Sequence, residues 1–428
     1  MANSDTERKA RIHGFFVQPS LGYGAANEVK FSSQDEYDRW VQSMADVGAE
    51  MLFYQWVLHF EADLPYWFAA DPPDGYGGNP ASDFAFYNPN LDPDPLNDIA
   101  ARGWVTPTSW TGSPKTGGKE PVAYLLDAAQ KARIKVWLGL YLNEGSGDFS
   151  RYNWWDAIID GTLTQADKDA IKHNVDRSVA VVKDFADQFG THPALGGIYY
   201  SVEITNQQAF IKNHAYLAEE IINPVAKAVH AELPGKELAI SPFFNTHFDT
   251  DPAFGSPEEF GEMWEYVLKN SELDILILQD GVGVEPHTLR QEVDNNGQIQ
   301  TIDKISGYFD AVKKAADAAG KPLWGNAELF QNINSPNRSC TEEKPCIPSN
   351  IDKISLQLKT EAQYVEKFVC FDFHYMEPND IYTFNPVLYG DTDGDGKIDP
   401  SKDIKMRQTL YDSYMEYWKK WQTNHSVN

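Results

Sequence analysis

Gly197-Ile198-Tyr199-Tyr200-Ser201-Val202-Glu203 and Pro322-Leu323-Trp324-Gly325-Asn326-Ala327-Glu328 are two alternating stretches that each end in a glutamate. A period of two marks a strand whose two faces meet different surroundings. Outward from these stretches, eight strand-then-helix units can be marked. The expected strands are 12–18, 51–56, 134–143, 195–203, 237–245, 274–280, 322–328 and 368–375. Helical patterns follow at 33–47, 165–189, 208–232, 256–269, 302–319, 352–367 and 404–421, the first opened by a Ser33/Glu36 capping box. Strands alternating with helices give a parallel sheet, and eight units favour closure into a (β/α)8 TIM barrel. No stretch resembles a linker, so residues 1–428 are expected to form a single α/β domain. Glu203 and Glu328 then end the fourth and seventh strands, on one rim.

Alternation also assigns faces. Tyr199, Ser201 and Glu203 share one face, as do Trp324, Asn326 and Glu328, then Ala239, Ser241, Phe243 and Asn245, then Cys370, Asp372 and His374. These sets are expected to face the lumen, with the intervening apolar residues packed on helices. Every strand ends in polar residues: Gln18, Gln55, Asn143 with Glu144, Glu203, Asn245, Gln279 with Asp280, Glu328, and Asp372 with His374. This fold keeps its chemistry at that rim. Two facing carboxyls are the minimal apparatus for cutting a glycosidic bond, one protonating the leaving oxygen while the other attacks or activates water. The segment 57–121, rich in Pro, Gly, Asp and aromatics, is expected to be a long active-site loop.

A glutamate ending strand four and another ending strand seven resemble the clan A glycoside hydrolases, where they serve as acid/base and nucleophile. The chain also resembles a bacterial family of candidate TIM-barrel glycosidases labelled as a domain of unknown function. The matching segments are Gly14-Phe15-Phe16, Val136-Trp137-Leu138-Gly139-Leu140, the strand-four stretch, Trp324-Gly325-Asn326-Ala327-Glu328-Leu329-Phe330 and Phe371-Asp372-Phe373-His374-Tyr375-Met376. The resemblance implies a hydrolase of polysaccharide or oligosaccharide substrates, with Glu203 as acid/base and Glu328 as nucleophile of a retaining reaction. Trp56, Trp154, Trp155, Tyr199, Trp324 and Tyr375 are the expected sugar platforms. Asn143, Asn245, Asn326, Asp280, Asp372 and His374 are the expected polar contacts. One departure stands beside Glu203: clan A places Asn before that glutamate, and here the residue is Val202. Two alternatives remain open: an inverting enzyme that pairs Glu203 with Asp280 or Asp372, and a barrel that binds carbohydrate without cleaving it.

Composition narrows the partners. A net charge of −27 repels nucleic acid and anionic membrane surfaces. Aromatics at 13% exceed what a core calls for and suit the stacking of sugar faces. The expected partner is a carbohydrate polymer, met by a monomer with no membrane insertion. Cys340 and Cys346 share one loop and can close a small ring, whereas Cys370 reads as a buried thiol. The polar start of the chain has no signal-peptide core, and the expected location is secreted or periplasmic after signal removal.

Asp391-Thr392-Asp393-Gly394-Asp395-Gly396-Lys397-Ile398-Asp399 is independent of the barrel. Acidic residues at loop positions one, three and five with Gly at six match calcium loops. Within 391–403, Asp391, Asp393, Asp395, the Lys397 carbonyl and Asp399 are the expected ligands of a structural Ca2+, although Lys402 stands where the usual bidentate Glu belongs. No organic cofactor is expected. Gly22-Tyr23-Gly24-Ala25-Ala26-Asn27 fails the dinucleotide fingerprint at its last position, and no P-loop, His-Glu-x-x-His or Gly-x-Ser-x-Gly is present. His59, His247 and His374 are a remote metal triad by position, without helical spacing to support it.

Overall fold

Short runs of alternating residues form eight parallel strands: β1 (Gly14–Val17), β2 (Met51–Tyr54), β3 (Lys135–Gly139), β4 (Leu195–Tyr199), β5 (Glu237–Ile240), β6 (Ile275–Gln279), β7 (Leu323–Asn326) and β8 (Val369–Cys370). The structure, a computed structural model, describes residues 2–17, 21–22, 28–29, 33–55, 57–62, 82–85, 120–140, 142–143, 158, 163–294, 296–332, 346–381 and 400–425. The strands run in the order β7-β6-β5-β4-β3-β2-β1-β8. Bridges between Gly325 and Phe368 and between Glu328 and Phe371 bring β8 round to β7. The result is the expected TIM barrel. Its register sets Phe16 opposite Phe53, Phe53 opposite Trp137, and Gln279 opposite Asn326.

Eight helices follow the strands: α1 (Gln34–Asp46), α2 (Pro121–Ala132), α3 (Gln165–Phe189), α4 (Asn223–Glu232), α5 (Pro257–Asn270), α6 (Ser306–Ala319), α7 (Ile351–Glu361) and α8 (Pro400–His425). Capping boxes start three of them, with the N–H groups of Ser33, Thr164 and Ser256 donating to Glu36, Asp167 and Glu259 at 3.0, 2.8 and 2.8 Å. The last helix laces the amino terminus to the barrel. Ile12 N–H donates to the Tyr414 hydroxyl at 2.6 Å, and Tyr417 and Tyr411 donate to the carbonyls of Ala10 and Ser43 at 2.6 and 3.0 Å. The Arg11 guanidinium lies over the Trp418 and Trp421 rings, at 5.3 and 5.2 Å.

The lumen is packed. Phe16, Met51, Phe53, Trp137, Tyr199, Ala239, Ile275, Ile277, Trp324 and Val369 form one buried cluster inside the sheet. Phe53 stacks on Trp137 at 5.0 Å, and Trp137 meets Trp324 edge-on at 6.1 Å. The expected faces hold for β4, β5 and β7. They reverse in β8, where Val369 and Phe371 join the lumen cluster while Cys370 joins the outer core. Polarity misled there because the lower lumen of a barrel is itself an apolar core that bulky side chains must fill.

Other differences are local. The expected helix 208–232 is broken into Gln208–Lys212, His214–Tyr216, a π-helical turn at Leu217–Ile222 and α4. Pro224, lacking an N–H, stands just past that turn and removes one rung of the ladder. The helix expected from 302 begins at Ser306, because Leu289–Val293 and Ile299–Asp303 form an antiparallel hairpin. The loop after β2 contains strands Leu58–Ala62 and Ser82–Ala85, which pair together, and Leu142–Asn143 pairs with the first. Cys346 is disulfide-bonded and Cys370 is free and buried, while Cys340 lies outside the described residues. Among the described residues, no helix is long and apolar enough to cross a membrane.

Candidate active site

Glu203 lies four residues past the end of β4, and Glu328 two past the end of β7. Both follow the lumen parity of their strands, and a hydrogen-bond chain runs from Glu203 across the ends of the intervening strands to Asn326 on β7. The Gln279 side chain hydrogen-bonds Glu203 and donates to the Ser241 carbonyl at 2.7 Å. The Ser241 hydroxyl accepts from Asn326 Nδ2 at 3.2 Å. Asn326, 1% exposed, follows the lumen parity to Glu328, and its Oδ1 meets no hydrogen-bond donor among the described residues. An unmet buried acceptor above a lumen is a ready partner for a ligand hydroxyl.

The two glutamates have different surroundings. Glu203 is exposed, yet the protein around it desolvates its carboxyl and raises its pKa against the opposing Gln279 hydrogen bond. A cleft produces that combination, open to water on one side and walled elsewhere. Glu328 is 6% exposed, and its Oε2 accepts from the backbone N–H groups of Gly283 and Val284 at 2.6 and 3.0 Å. Burial and the nearby Asp280 carboxylate push its pKa up to about 8, against the two amides and Lys353.

Behind Glu328 lies a buried polar network facing the helices. Asp280 accepts from Gln357 at 2.6 Å, from Val282 N–H at 3.0 Å and from Glu328 N–H at 3.3 Å. Glu361 on α7 lies beside Asp280, and burial with the Asp280 charge keeps its pKa well above the usual range. Lys353 donates to the Val282 and Phe330 carbonyls at 2.9 and 3.4 Å. Its pKa falls to about 8 through burial. This network holds the 282–284 segment against Glu328.

Several expected contacts lie elsewhere. Asp280 is out of phase with the lumen and 2% exposed, serving the network just described. Asp372 and His374, 2% and 1% exposed, pair with each other at 3.2 Å on the helix side of β8. Trp40 lies beside that pair and donates to Glu377 at 2.9 Å. Asp280 and Asp372 are thus both engaged by partners on the helix side of their strands. Tyr199 and Trp324, 4% and 5% exposed, are lumen packing, and Lys367 covers the Trp324 ring at 5.0 Å from the amino end of β8. The Asn245 side chain accepts from His247 N–H at 2.8 Å and shapes its own loop. Tyr375, half-buried and stacked on Phe330 at 5.0 Å, stays a candidate platform near Glu328. Trp56, Trp154 and Trp155, the Asn143 side chain, and the loop of Asp391, Asp393, Asp395, Lys397 and Asp399 lie outside the described residues.

Gln279, Ser241 and the Gly283 and Val284 amides escaped the choice of site residues. Parity is silent for Gln279 in the sequence, because Ile275 to Leu278 is apolar throughout; the structure places Ile275 and Ile277 in the lumen cluster, and Gln279 follows their phase. The amides leave no signal, because backbone donors have no residue type. His374 does not meet His247; instead His247, Glu285 and His287 bring ligand-type atoms within 4.8 Å of one another.

Fold and rim together define a TIM barrel with glutamates at the carboxyl ends of its fourth and seventh strands. The chain belongs to the family described as Domain of unknown function (DUF4434), which matches residues 12–382. No curated protein matches it. Among solved structures, a candidate α-L-fucosidase from Bacteroides thetaiotaomicron is similar, with 18% identity over 96% of each chain and a TM-score of 0.57. A glycoside hydrolase family 5 mannosidase from Rhizomucor miehei has 12% identity over 97% of this chain and 94% of its own, with a TM-score of 0.48. A family 5 glycoside hydrolase from Bacteroides vulgatus has 13% identity over 95% of this chain and 67% of its own, with a TM-score of 0.44.

Proposed function

We propose that the protein is a glycoside hydrolase acting on a polysaccharide or oligosaccharide, with Glu203 as general acid/base and Glu328 as nucleophile. The observation that carries the reading is the placement of Glu203 and Glu328 at the carboxyl ends of β4 and β7, with a hydrogen-bond chain running from Glu203 through Gln279 and Ser241 to Asn326, two residues before Glu328. The division of labour follows from surroundings. An acid/base must recycle its proton through water, and Glu203 is the exposed member with a raised pKa. A nucleophile must be held still, and two amides fix Glu328 Oε2 while leaving Oε1 to attack. The barrel shared with the candidate α-L-fucosidase supports a carbohydrate substrate. The acidic surface favours a neutral or cationic glycan. We place the protein in a secreted or periplasmic setting, where polymeric glycans are met.

One observation favours a second reading with the roles exchanged. A carboxyl with a pKa near 8 holds its proton at neutral pH, and the amides on Oε2 direct that proton to Oε1. Azide separates the two on an activated aryl glycoside. An acid/base variant still forms the glycosyl-enzyme, so azide yields a glycosyl azide of retained configuration. A variant lacking the nucleophile takes azide directly and inverts. Retention from Glu203→Ala with inversion from Glu328→Ala is the expected result, and the opposite pattern assigns the exchanged roles. A glycan panel with product sizing on wild type comes first. Binding without turnover across the panel would make the barrel a carbohydrate-binding module.

A further inference from the structure

We propose that His247, Glu285 and His287 form a binding site for a divalent transition-metal ion of the zinc class, clasping the loop after β5 to the loop after β6. The three residues bring their ligand atoms within 4.8 Å of one another, and His247 Nε2 already lies 3.4 Å from Glu285 Oε1. In a tetrahedral site with bonds of about 2.0–2.1 Å, adjacent ligand atoms stand roughly 3.3–3.4 Å apart. One edge of the tetrahedron is therefore at its bonded length, and the others lie within 4.8 Å. Two imidazoles with one carboxylate suit Zn2+, Co2+ or Ni2+; Ca2+ and Mg2+ demand oxygen ligands. Three protein ligands leave a fourth position for water.

An ordinary His247–Glu285 ion pair explains two of the three residues and leaves the third unexplained. His287 Nδ1 is buried and has no hydrogen-bond partner among the described residues. Such an atom calls for an occupant. The backbone beneath the ligands is already fixed. His247 N–H donates to Asn245 at 2.8 Å, and the His247 carbonyl accepts from Thr250 and Asp251 N–H at 2.9 and 2.8 Å. Glu285 N–H donates to the Gly281 carbonyl at 2.9 Å, and the Thr288 hydroxyl donates to the Glu285 carbonyl at 2.7 Å. Glu285 stands two residues past Gly283, so an ion here also steadies the amides that hold Glu328.

Cobalt titration of the full chain, stripped with chelator and free of any histidine tag, tests the site without substrate and so independently of the hydrolase reading. The expected result is a visible d–d band of tetrahedral intensity that saturates at one Co2+ per chain and is displaced by Zn2+. Removing a ligand should weaken binding by more than the roughly 10–100-fold that loss of an outer-shell partner costs, in both His247→Ala and His287→Ala. Circular dichroism confirms that the variants fold, and Glu285→Gln or His247→Gln reads the same loss where an alanine variant does not. Zn2+ should raise the melting temperature of wild type and of none of these variants. A wild type with no saturable band, or a band of equal affinity in the folded His variants, overturns the site.

Discussion

Gly283 shows how little room the Glu328 carboxylate has. A Cβ built there would lie 2.7 Å from Glu328 Oε2 and 2.8 Å from its Cβ. Gly283→Ala should therefore push Glu328 out of line and lower kcat about 10²-fold with KM little changed, since ångström-scale misplacement of a reacting group carries that penalty. Equal losses in Gly283→Ala and at a distant surface position would remove Glu328 from the chemistry. The same carboxyl also has a stability signature. Its folded pKa of about 8 stands above the usual 4.5, so the folded state keeps a proton that the unfolded chain sheds between those values. Stability from this group is thus full below pH about 4.5 and falls as pH rises towards 8. Glu328→Gln should lose that slope, becoming more stable than wild type by roughly 1–3 kcal/mol at pH 8.5 and level with it near pH 4.5. Urea melts at the two pH values check this, and a gap that does not grow with pH would contradict the strain on Glu328. Parity made Glu203, Asn326 and Glu328 legible in the sequence. It failed at Asp372 and His374, and the polar strand end misled at Asp280, because a polar residue on the helix side is invisible as such until its partners Gln357 and Trp40 are in place.

Between elements, the seam of the barrel depends on one neutral histidine. His13, 6% exposed, donates its N–H to the Phe368 carbonyl at 2.9 Å, while its Nδ1 accepts from the Phe368 N–H at 3.1 Å. That acceptor role, between β1 and β8, requires an unprotonated ring. Burial, then the charges of Arg11 and Lys367, lower its pKa to about 2, far under the ordinary 6.5. The unfolded chain therefore takes up a proton below pH 6.5 that the folded chain refuses. The resulting stability is present above that pH and lost as pH falls, by about 1.4 kcal/mol per unit. His13→Gln keeps an acceptor that does not titrate. Its unfolding free energy should fall less than that of wild type between pH 7 and pH 5, by roughly 2 kcal/mol. Equal slopes in the two proteins would rule out His13 as the source. Elements with strong local signals were legible: the Ser33, Thr164 and Ser256 boxes fix helix starts. The 289–303 hairpin was not, although Asn296-Gly297, with Gly297 at φ +77°, is hairpin-turn chemistry. Its strands are mostly exposed and carry little apolar alternation to announce them.

At the scale of the molecule, α8 braces the closed barrel, its tyrosines bonding Ala10, Ile12 and Ser43 across most of the chain length. Eight repeats of strand and helix were enough to read the barrel, since alternating units give a parallel sheet covered by helices and eight of them match the number that closes a TIM barrel. The joining of the two ends was not readable, because it rests on hydrogen bonds and ring contacts between residues some four hundred positions apart. The acidic segment 391–403 leads into that helix. We propose that it binds one Ca2+ through Asp391, Asp393, Asp395, the Lys397 carbonyl and Asp399, and so anchors the start of α8. An ion at about 100 times its dissociation constant adds roughly 2.7 kcal/mol to the folded state. For a chain of this size that corresponds to a rise of about 3 °C in Tm. Because α8 ties both ends of the barrel, the rise should move one cooperative transition as a whole, with no early-melting part split off. Asp391→Asn with Asp393→Asn should abolish the response, whereas His247→Ala should keep it, which separates this ion from the one on the rim. Calorimetry with and without Ca2+ measures both features. A Tm indifferent to Ca2+, or a calcium response lost in His247→Ala instead, would remove calcium from this loop.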